Sequence, residues 1–561
     1  MCSSPRSRAA CSRASNASTA TDAKTSTSSS ATWRRRRASR LWGPVNTIDR
    51  YDYVIVGGGS AGCVLAARLT ESPDTTVLLV EAGPDHTGAA ALDHPGTWAD
   101  LLGSEYDWGH SYAPNPLLDG RAVLIPRGRV LGGSSSINAM LWYRGHPSDY
   151  DAWEGAGAKG WNFASLLPYF RRAEDWEGGA TLLRGSGGPI RITRPSDPHP
   201  VALGLLGAAA ELGMAVLDDC NGPEIEGAAL ANLTVDDDGH RASTDRAYVE
   251  PVLSRPNLTI RTDSTVTGLV FDGERCTGVR VGRGEHATEI HADIETVLCA
   301  GAISSPHLLL LSGIGDPVQL RSHDVPVRVA LPGVGRNLQD HPLLMGVNFR
   351  AREPLGPVRD NGGGAILNWR SDASLDLPDL HAFVVQGRHA TPEIAERYDV
   401  TGHVFALSPG LMRSYSTGAL TLQSADPGVA PRVDPRYLSD PRDLDALVSG
   451  LDRVFDLAGT AALRPLIEAP VAPDRRLGRH DAEAFVRASC ATFFHTAGTC
   501  AMGVGPDAVV DPDLRVHGVT GLRVVDASVI PVLPSCNTNA PVIALAERAA
   551  ALISGTEGSI S

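Results

Sequence analysis

Apolar residues fall along this chain in short runs punctuated by glycine. The clearest succession of runs is Tyr51–Glu81, YDYVIVGGGSAGCVLAARLTESPDTTVLLVE. Tyr51–Val56 is apolar and β-branched, as suits a strand buried in a parallel sheet. Ser60–Leu69 predicts a helix, and Val77–Val80 a second strand. Between the first strand and the helix, Gly57, Gly59 and Gly62 keep a G-x-G-x-x-G spacing. Gly57 permits the tight turn, Gly59 lets backbone approach a pyrophosphate, and Gly62 lets the helix pack close to the strand. Ser60 and Ala61 open the helix, whose free N–H groups and dipole favour an anion. Glu81, followed by Ala82, ends the second strand. Its carboxylate suits both hydroxyls of an adenosine ribose and repels a 2′-phosphate. The unit predicts dinucleotide binding, but by itself it does not separate FAD from NAD.

The same reading continues through the chain. Residues 106–160 are rich in Gly, Pro and Trp and read as a long functional connection. Helical spacing predicts helices over Phe163–Ala173 and Val201–Leu212. Short strands are expected at Leu258–Arg261, Thr265–Phe271, Gly278–Val281, Thr288–Ile290 and Thr296–Cys299, followed by a helix over Pro306–Leu311. Further strands are expected at Gly364–Trp369, Leu380–Gln386, His403–Leu407 and Ala419–Gln423, with a helix over Asp443–Ala458. Pro541 sits where its missing N–H is harmless, at the start of a helix over Val542–Ile553. The expected fold class is α/β (α+β overall), a Rossmann-like nucleotide domain assembled from both ends of the chain around a sheet-rich middle. The expected boundaries are 1–46 for a leader, 47–345 for the first part of the nucleotide domain with insertions over about 150–250, 346–490 mainly for a second domain, and 491–555 for the return to the first.

Charge divides the chain. The net charge of −14 argues against nucleic acid as a partner. Residues 1–40 carry nine Lys and Arg against one acid, leaving 41 bases against 63 acids elsewhere. This Ser-, Thr-, Ala- and Arg-rich leader has almost nothing to bury and is expected to be disordered. Arg34–Arg37 resembles the start of a twin-arginine signal, yet no apolar segment follows it. The composition also suits a transit peptide, but an extension foreign to the mature domain is preferred. No run of 18 apolar residues occurs, so no transmembrane helix is expected. Nine scattered cysteines without C-x-x-C fit free thiols in a reducing compartment. A cytoplasmic location is therefore expected, with membrane association left open.

Residues 128–145, GRVLGGSSSINAMLWYRG, and 301–315, GAISSPHLLLLSGIG, resemble the two hallmark blocks of the glucose–methanol–choline flavin oxidoreductases. The later blocks FHTAGTCAMG, GLRVVDAS and NTNAP are similar to that family too, and the resemblance runs from about Tyr51 to Ile553, most like the bacterial alcohol and choline dehydrogenase branch. It implies FAD and a sheet-based substrate-binding domain. It also implies that Gly132, Gly133, Ser134 and Ser135 offer N–H groups and hydroxyls to phosphate and ribityl oxygens, and that Val130, Asn138, Ala139, Met140 and Leu141 line the flavin. Val266 corresponds to a backbone contact of adenine. Ala300-Gly301 and Asp526-Ala527 correspond to further close approaches to the cofactor, and Thr538 and Asn539 lie at the helix whose N-terminus faces the flavin. Some members of the choline branch attach FAD through a histidine that is here Ile137, so non-covalent FAD is expected.

The resemblance further implies that His495 is the catalytic histidine and that Asn537 is its partner. An imidazole suits removal of an alcohol proton near neutral pH, after which the alkoxide expels hydride to flavin N5. An amide orients the substrate oxygen and stabilises developing charge. The expected function is FAD-dependent oxidation of an alcohol to an aldehyde, with oxygen or a quinone-like carrier as electron acceptor. Two departures stand out, Thr496 where proline is usual and Ala501 where Lys or Ser is common. The segment after Gln339–Pro342, LLMGVNFRAREP, is expected over the flavin. It offers no cage for a quaternary ammonium, since Glu353 is its only acid. An uncharged primary alcohol, aliphatic or aryl, is therefore preferred to choline. The alternatives on this fold are choline oxidation, cyanohydrin cleavage by a lyase, and flavin photochemistry on a carboxylate. No metal site is expected.

Overall fold

The computed structural model describes residues 49–86 and 88–557, which belong to one compact unit. The expected leader and its basic cluster lie outside the described residues. One sheet carries the nucleotide-type unit. Its order is Leu258–Arg261, Val77–Val80, Arg50–Val56 and Thr288–Leu298, all parallel, followed by the antiparallel strands Arg275–Val281 and Val266–Asp272. Leu522–Val524 joins the end of Thr288–Leu298 in parallel, with Thr296 opposite Leu522. A segment that begins 224 residues downstream of that strand's end thus completes the sheet, near the strand ends where open α/β sheets bind ligands.

Val77–Val80 is buried throughout, as a central parallel strand must be. The helix Ser60–Leu69 buries eight of its ten residues. A helix apolar all round needs cover on both sides, and it packs between the sheet and the last helix, Asn539–Ser554. Arg68 crosses to the fully buried Glu547 of that helix (Nη2–Oε1 2.8 Å), and Tyr248 donates to the same carboxylate at 2.7 Å. The partners satisfy a charge that alone would be costly to bury.

Three expected elements came out differently. Thr288–Ile290 and Thr296–Cys299 are the two ends of a single strand, Thr288–Leu298. Its polar middle disguised it, because Asp293 and Glu295 pair outward with Arg50 and Arg523. The helix expected over Pro306–Leu311 begins at Gly301, with Pro306 inside it.

The second sheet is antiparallel. It runs Ile467–Ala472, Asn348–Ala351, Val404–Leu411, Leu380–Val385, Ala365–Trp369 and Gly227–Leu230. At one side Pro342–Leu344 bridges Val404–Leu411 to Cys490–Thr492, with Pro342 opposite Thr492. This short pairing continues as Phe493 N–H donating to His341 C=O at 2.9 Å and as a bridge between Gln339 and Ala497. Among the described residues no helix is long and apolar enough to cross a membrane.

Candidate active site

A cavity of about 1290 Å³ opens between the two sheets and is lined from both. At one end stands the glycine turn. Gly57 has φ +103°, and a Cβ there would lie 2.5 Å from the Cys299 carbonyl oxygen. A Cβ on Gly62 would meet Gly57 O at 2.0 Å, which is the close helix–strand packing its position implies. Gly133 (φ +55°) brings a second loop against the turn, and its Cβ would lie 2.6 Å from Gly59 Cα. Only glycine fits these approaches without strain.

The helix N-termini of Ser60–Leu69 and Asn539–Ser554 reach this cavity, beside that of Gly301–Leu311, whose first N–H is taken by Asp526. Neither of the first two has a capping side chain or an acid in its first turn. Their orphan N–H groups are left for a ligand. Ser60 Oγ donates to Asn539 Oδ1 at 2.7 Å and ties the two ends together. Glu81 Oε2 accepts from Gly58 N–H and Oε1 from Gly83 N–H, both at 2.8 Å. Burial raises its carboxyl to about 7, against those hydrogen bonds. Asp526 accepts from Gly301 N–H (2.8 Å), Ser305 Oγ (2.6 Å) and Ser528 N–H (2.8 Å). Burial raises this carboxyl as well. Gly301 has no neighbour near its missing Cβ and is open to the cavity.

Most of the residues expected at the cofactor line this cavity: Gly57, Gly59, Ser60, Ala61, Glu81, Ala82, Gly133, Ser134, Asn138, Ala139, Met140, Leu141, Val266, Ala300, Gly301, Asp526, Ala527, Thr538 and Asn539. Gly62, Val130, Gly132 and Ser135 do not. Val130 is fully buried beside Leu92, Leu101 and Ile137. Gly132 makes the turn (φ +88°) and donates N–H to Gly58 O at 2.7 Å. The Ser135 hydroxyl turns inward to Gly132 O at 2.6 Å, so it braces the loop rather than offering itself to a phosphate. Of the segment Leu343–Pro354, only Leu343 lines the cavity. The rest continues into the sheet, where Arg350 and Arg352 bind backbone carbonyls, and Glu353 is exposed.

His495 and Asn537 meet on the wall of the same cavity. Asn537 Nδ2 lies 3.1 Å from His495 Nε2, and His341 Nδ1 lies 2.9 Å from His495 Nδ1. With the amide N–H as the donor, Nε2 is the unprotonated nitrogen. The His495 proton then sits on Nδ1 and is donated to His341, whose own proton is on Nε2. Burial, followed by the proximity of His341, Arg127 and His381, pushes His495 well below its ordinary value. Burial lowers His341 and His381 to about 3. His495 is therefore a neutral imidazole with its lone pair at the cavity wall. Phe493 stacks on it (centroids 5.0 Å apart, 13° between planes), and Phe383 packs on Phe493 at 5.3 Å. Met140, Leu141 and Leu343 belong to the same apolar cluster, with Trp98 against it.

The sequence did not single out Asp340, Arg127 or Tyr112. Arg127 donates to Phe494 O at 2.9 Å and to Thr496 Oγ1 at 2.5 Å, and Tyr112 OH lies 2.7 Å from the same hydroxyl. Thr496 thus ties two cavity-lining side chains, a role that proline could not fill. The Gln339–Pro342 block was visible as a turn; its partners were not, because those of Asp340 lie 97 to 228 residues away.

Parallel strands ending at an uncapped helix, two glycine turns in contact and a buried acid define a dinucleotide-binding enzyme with a buried imidazole on the wall of the same cavity. Family models described as GMC oxidoreductase match residues 51–343 and 414–546, and the chain belongs to that family. It is a flavoenzyme with FAD as cofactor, acting on CH–OH donors. It is 38% identical to the mitochondrial choline dehydrogenase of Homo sapiens over 90% of each chain. It is also 38% identical to the oxygen-dependent choline dehydrogenase of Paraburkholderia phymatum, over 90% of this chain and 92% of that one. The solved structure of pyridoxine 4-oxidase from Mesorbium loti superposes with a TM-score of 0.85 at 35% identity, covering 89% of this chain and 98% of that one.

Proposed function

We propose that the protein oxidises an uncharged primary alcohol, aliphatic or aryl, to the aldehyde, with His495 as general base and Asn537 as the group that orients the substrate oxygen. The observation that carries this reading is a buried, neutral His495 whose Nε2 lies 3.1 Å from the Asn537 amide at the wall of the cavity, where a substrate hydroxyl takes the place of that amide as the donor to Nε2. Bound FAD supplies the two-electron oxidant. His495 Nε2 takes the hydroxyl proton, and its Nδ1–H stays on His341 throughout. Asn537 holds the same oxygen as negative charge develops on it. Phe383, Phe493 and Leu343 keep that oxygen out of water.

The substrate preference rests on the lining. Around His495 the cavity is lined by the cluster of Met140, Leu141, Leu343, Phe383 and Phe493, and of its four lining acids Glu81 and Asp526 are bound to backbone N–H groups and Asp263 lies beside Val266. Asp107, which also lines the cavity, spends its oxygens on the N–H groups of Gly103, Gly109 and Arg127. A quaternary ammonium would find no counter-charge in that cluster, whereas an apolar alcohol buries its tail there. FAD is held without a covalent bond, since Ile137 offers no nucleophile. The deciding measurement is anaerobic reduction of the flavoprotein by a panel of primary alcohols and choline. Rapid bleaching by benzyl or medium-chain alcohols, with choline at least about tenfold slower, supports this reading, a tenfold rate difference being about 1.4 kcal/mol. Choline as the fastest reductant overturns it.

A further inference from the structure

We propose that Asp340 is the positioning residue of the histidine end, its carboxylate fixing the backbone that points His495 Nε2 into the cavity. The inference rests on His495 being the base. Asp340 is 2% exposed. Its Oδ1 accepts from the backbone N–H of His341 and from that of His495, both at 2.8 Å, so one oxygen joins two segments separated by 155 positions. Its Oδ2 accepts from Thr492 Oγ1 (2.6 Å), Tyr437 OH (2.7 Å) and Tyr112 OH. Five donors converge on it, which satisfies a buried carboxylate with charge-assisted bonds. None of the five is an imidazole ring, so Asp340 acts on the rings through their backbone.

The segment it holds needs holding. Phe494 sits at φ +67°, a conformation a bulky side chain rarely adopts, between the Phe493 that pairs with His341 C=O and the His495 held by Oδ1. Such a residue stays there only when its surroundings over-determine it. Thr492 contributes twice, since its Oγ1 also accepts Phe494 N–H at 2.7 Å. Release of this clamp lets His495 relax by a fraction of an ångström, enough to lose the alignment of proton and lone pair.

Asp340→Asn keeps the volume and removes one acceptor oxygen. FAD content is expected to match that of the unaltered protein. The anaerobic reduction rate at saturating alcohol is expected to fall roughly 10²-fold, the typical cost of a small misplacement, with the apparent Kd for alcohol little changed. In a His495→Ala background the same change is expected to cost less than about threefold, because no imidazole remains to be positioned. An undiminished loss there overturns the positioning role while leaving the base assignment intact. An unchanged rate in His495→Ala alone overturns the base reading itself. Should Asp340→Asn fail to load flavin, the Tyr437→Phe/Thr492→Val double variant removes two of the three donors to Oδ2, keeps Tyr112 OH there, and leaves Oδ1 on the two backbones. It is expected to lose roughly three- to tenfold in rate, again non-additively with His495→Ala. Additivity there counts against the clamp.

Discussion

The two ends of the cavity hold polar groups by opposite means. At the glycine end the recognising groups are backbone: two uncapped helix N-termini, the N–H groups of tight turns, and glycines whose missing Cβ leaves room. At the histidine end they are side chains whose positions are over-determined by Asp340, His341, Phe493 and Asn537. The contrast follows from what each end must do. A large anionic ligand is held by many modest contacts, each replaceable. A proton transfer depends on one lone pair in one place, so the structure fixes that atom from every side.

If the ends are separable in this way, changes at one should alter rate and changes at the other occupancy. The largest effect expected is from His495→Ala, a loss of roughly 10²–10⁴ in the anaerobic reduction rate with FAD content preserved. Loss of flavin from that variant would show the ends to be coupled. Asn537→Ala should slow reduction by roughly 10–10², less than His495→Ala, since an orienting hydrogen bond is lost and the base remains. Stopped-flow traces of both variants, side by side, give the ranking. Gly57→Ala should invert the pattern. Its Cβ would strike the Cys299 carbonyl at 2.5 Å, so FAD affinity should fall at least about tenfold while the loaded fraction reduces at the usual rate. Titration of apoprotein with FAD reads the first quantity, and an unchanged affinity would break the comparison.

The smallest effects are on stability, and the two ends titrate in opposite senses. Glu81 is raised from 4.5 to about 7 in the fold, so the stability it contributes is full below about 4.5 and is lost as pH rises toward 7. Buried His341 and His381 are lowered from 6.5 to about 3, so their contribution is full above 6.5 and is lost as pH falls toward 3. In the apoprotein, Glu81→Gln should flatten the decline in Tm between pH 5 and 7.5, by roughly a few degrees, and leave the acid-side decline below pH 6.5 in place. Scanning calorimetry of both apoproteins across this range checks it; an unaltered slope above pH 5 would show that Glu81 is not the group responsible.

The glycine end was the more legible in the sequence because its information is local. Strand, turn, helix, strand and acid all lie within Tyr51–Glu81, and the structure places them at Arg50–Val56, Ser60–Leu69 and Val77–Val80. Even there, resemblance assigned Ser135 to the phosphates, whereas its hydroxyl braces Gly132. At the histidine end, His495 and Asn537 were named by motif and do meet. The tautomer proposed for His495 rests on its contact with His341, and its proposed clamp on Asp340, and neither had a local signal. The strand Thr288–Leu298 was split for a related reason, since Asp293 and Glu295 look like a turn until their distant arginines are known.

The sequence by itself determined which backbone segments bend without strain, which runs must be buried and which acid closes the dinucleotide unit, because steric freedom and hydrophobic periodicity act between near neighbours. Only the tertiary structure decided that Leu522–Val524 completes the first sheet, and that Pro342–Leu344 pairs with Cys490–Thr492 so that two histidines touch. Those contacts join segments separated by 150 residues or more, and whether a buried imidazole is a base or an inert core residue depends on what desolvates it and which donor faces each nitrogen.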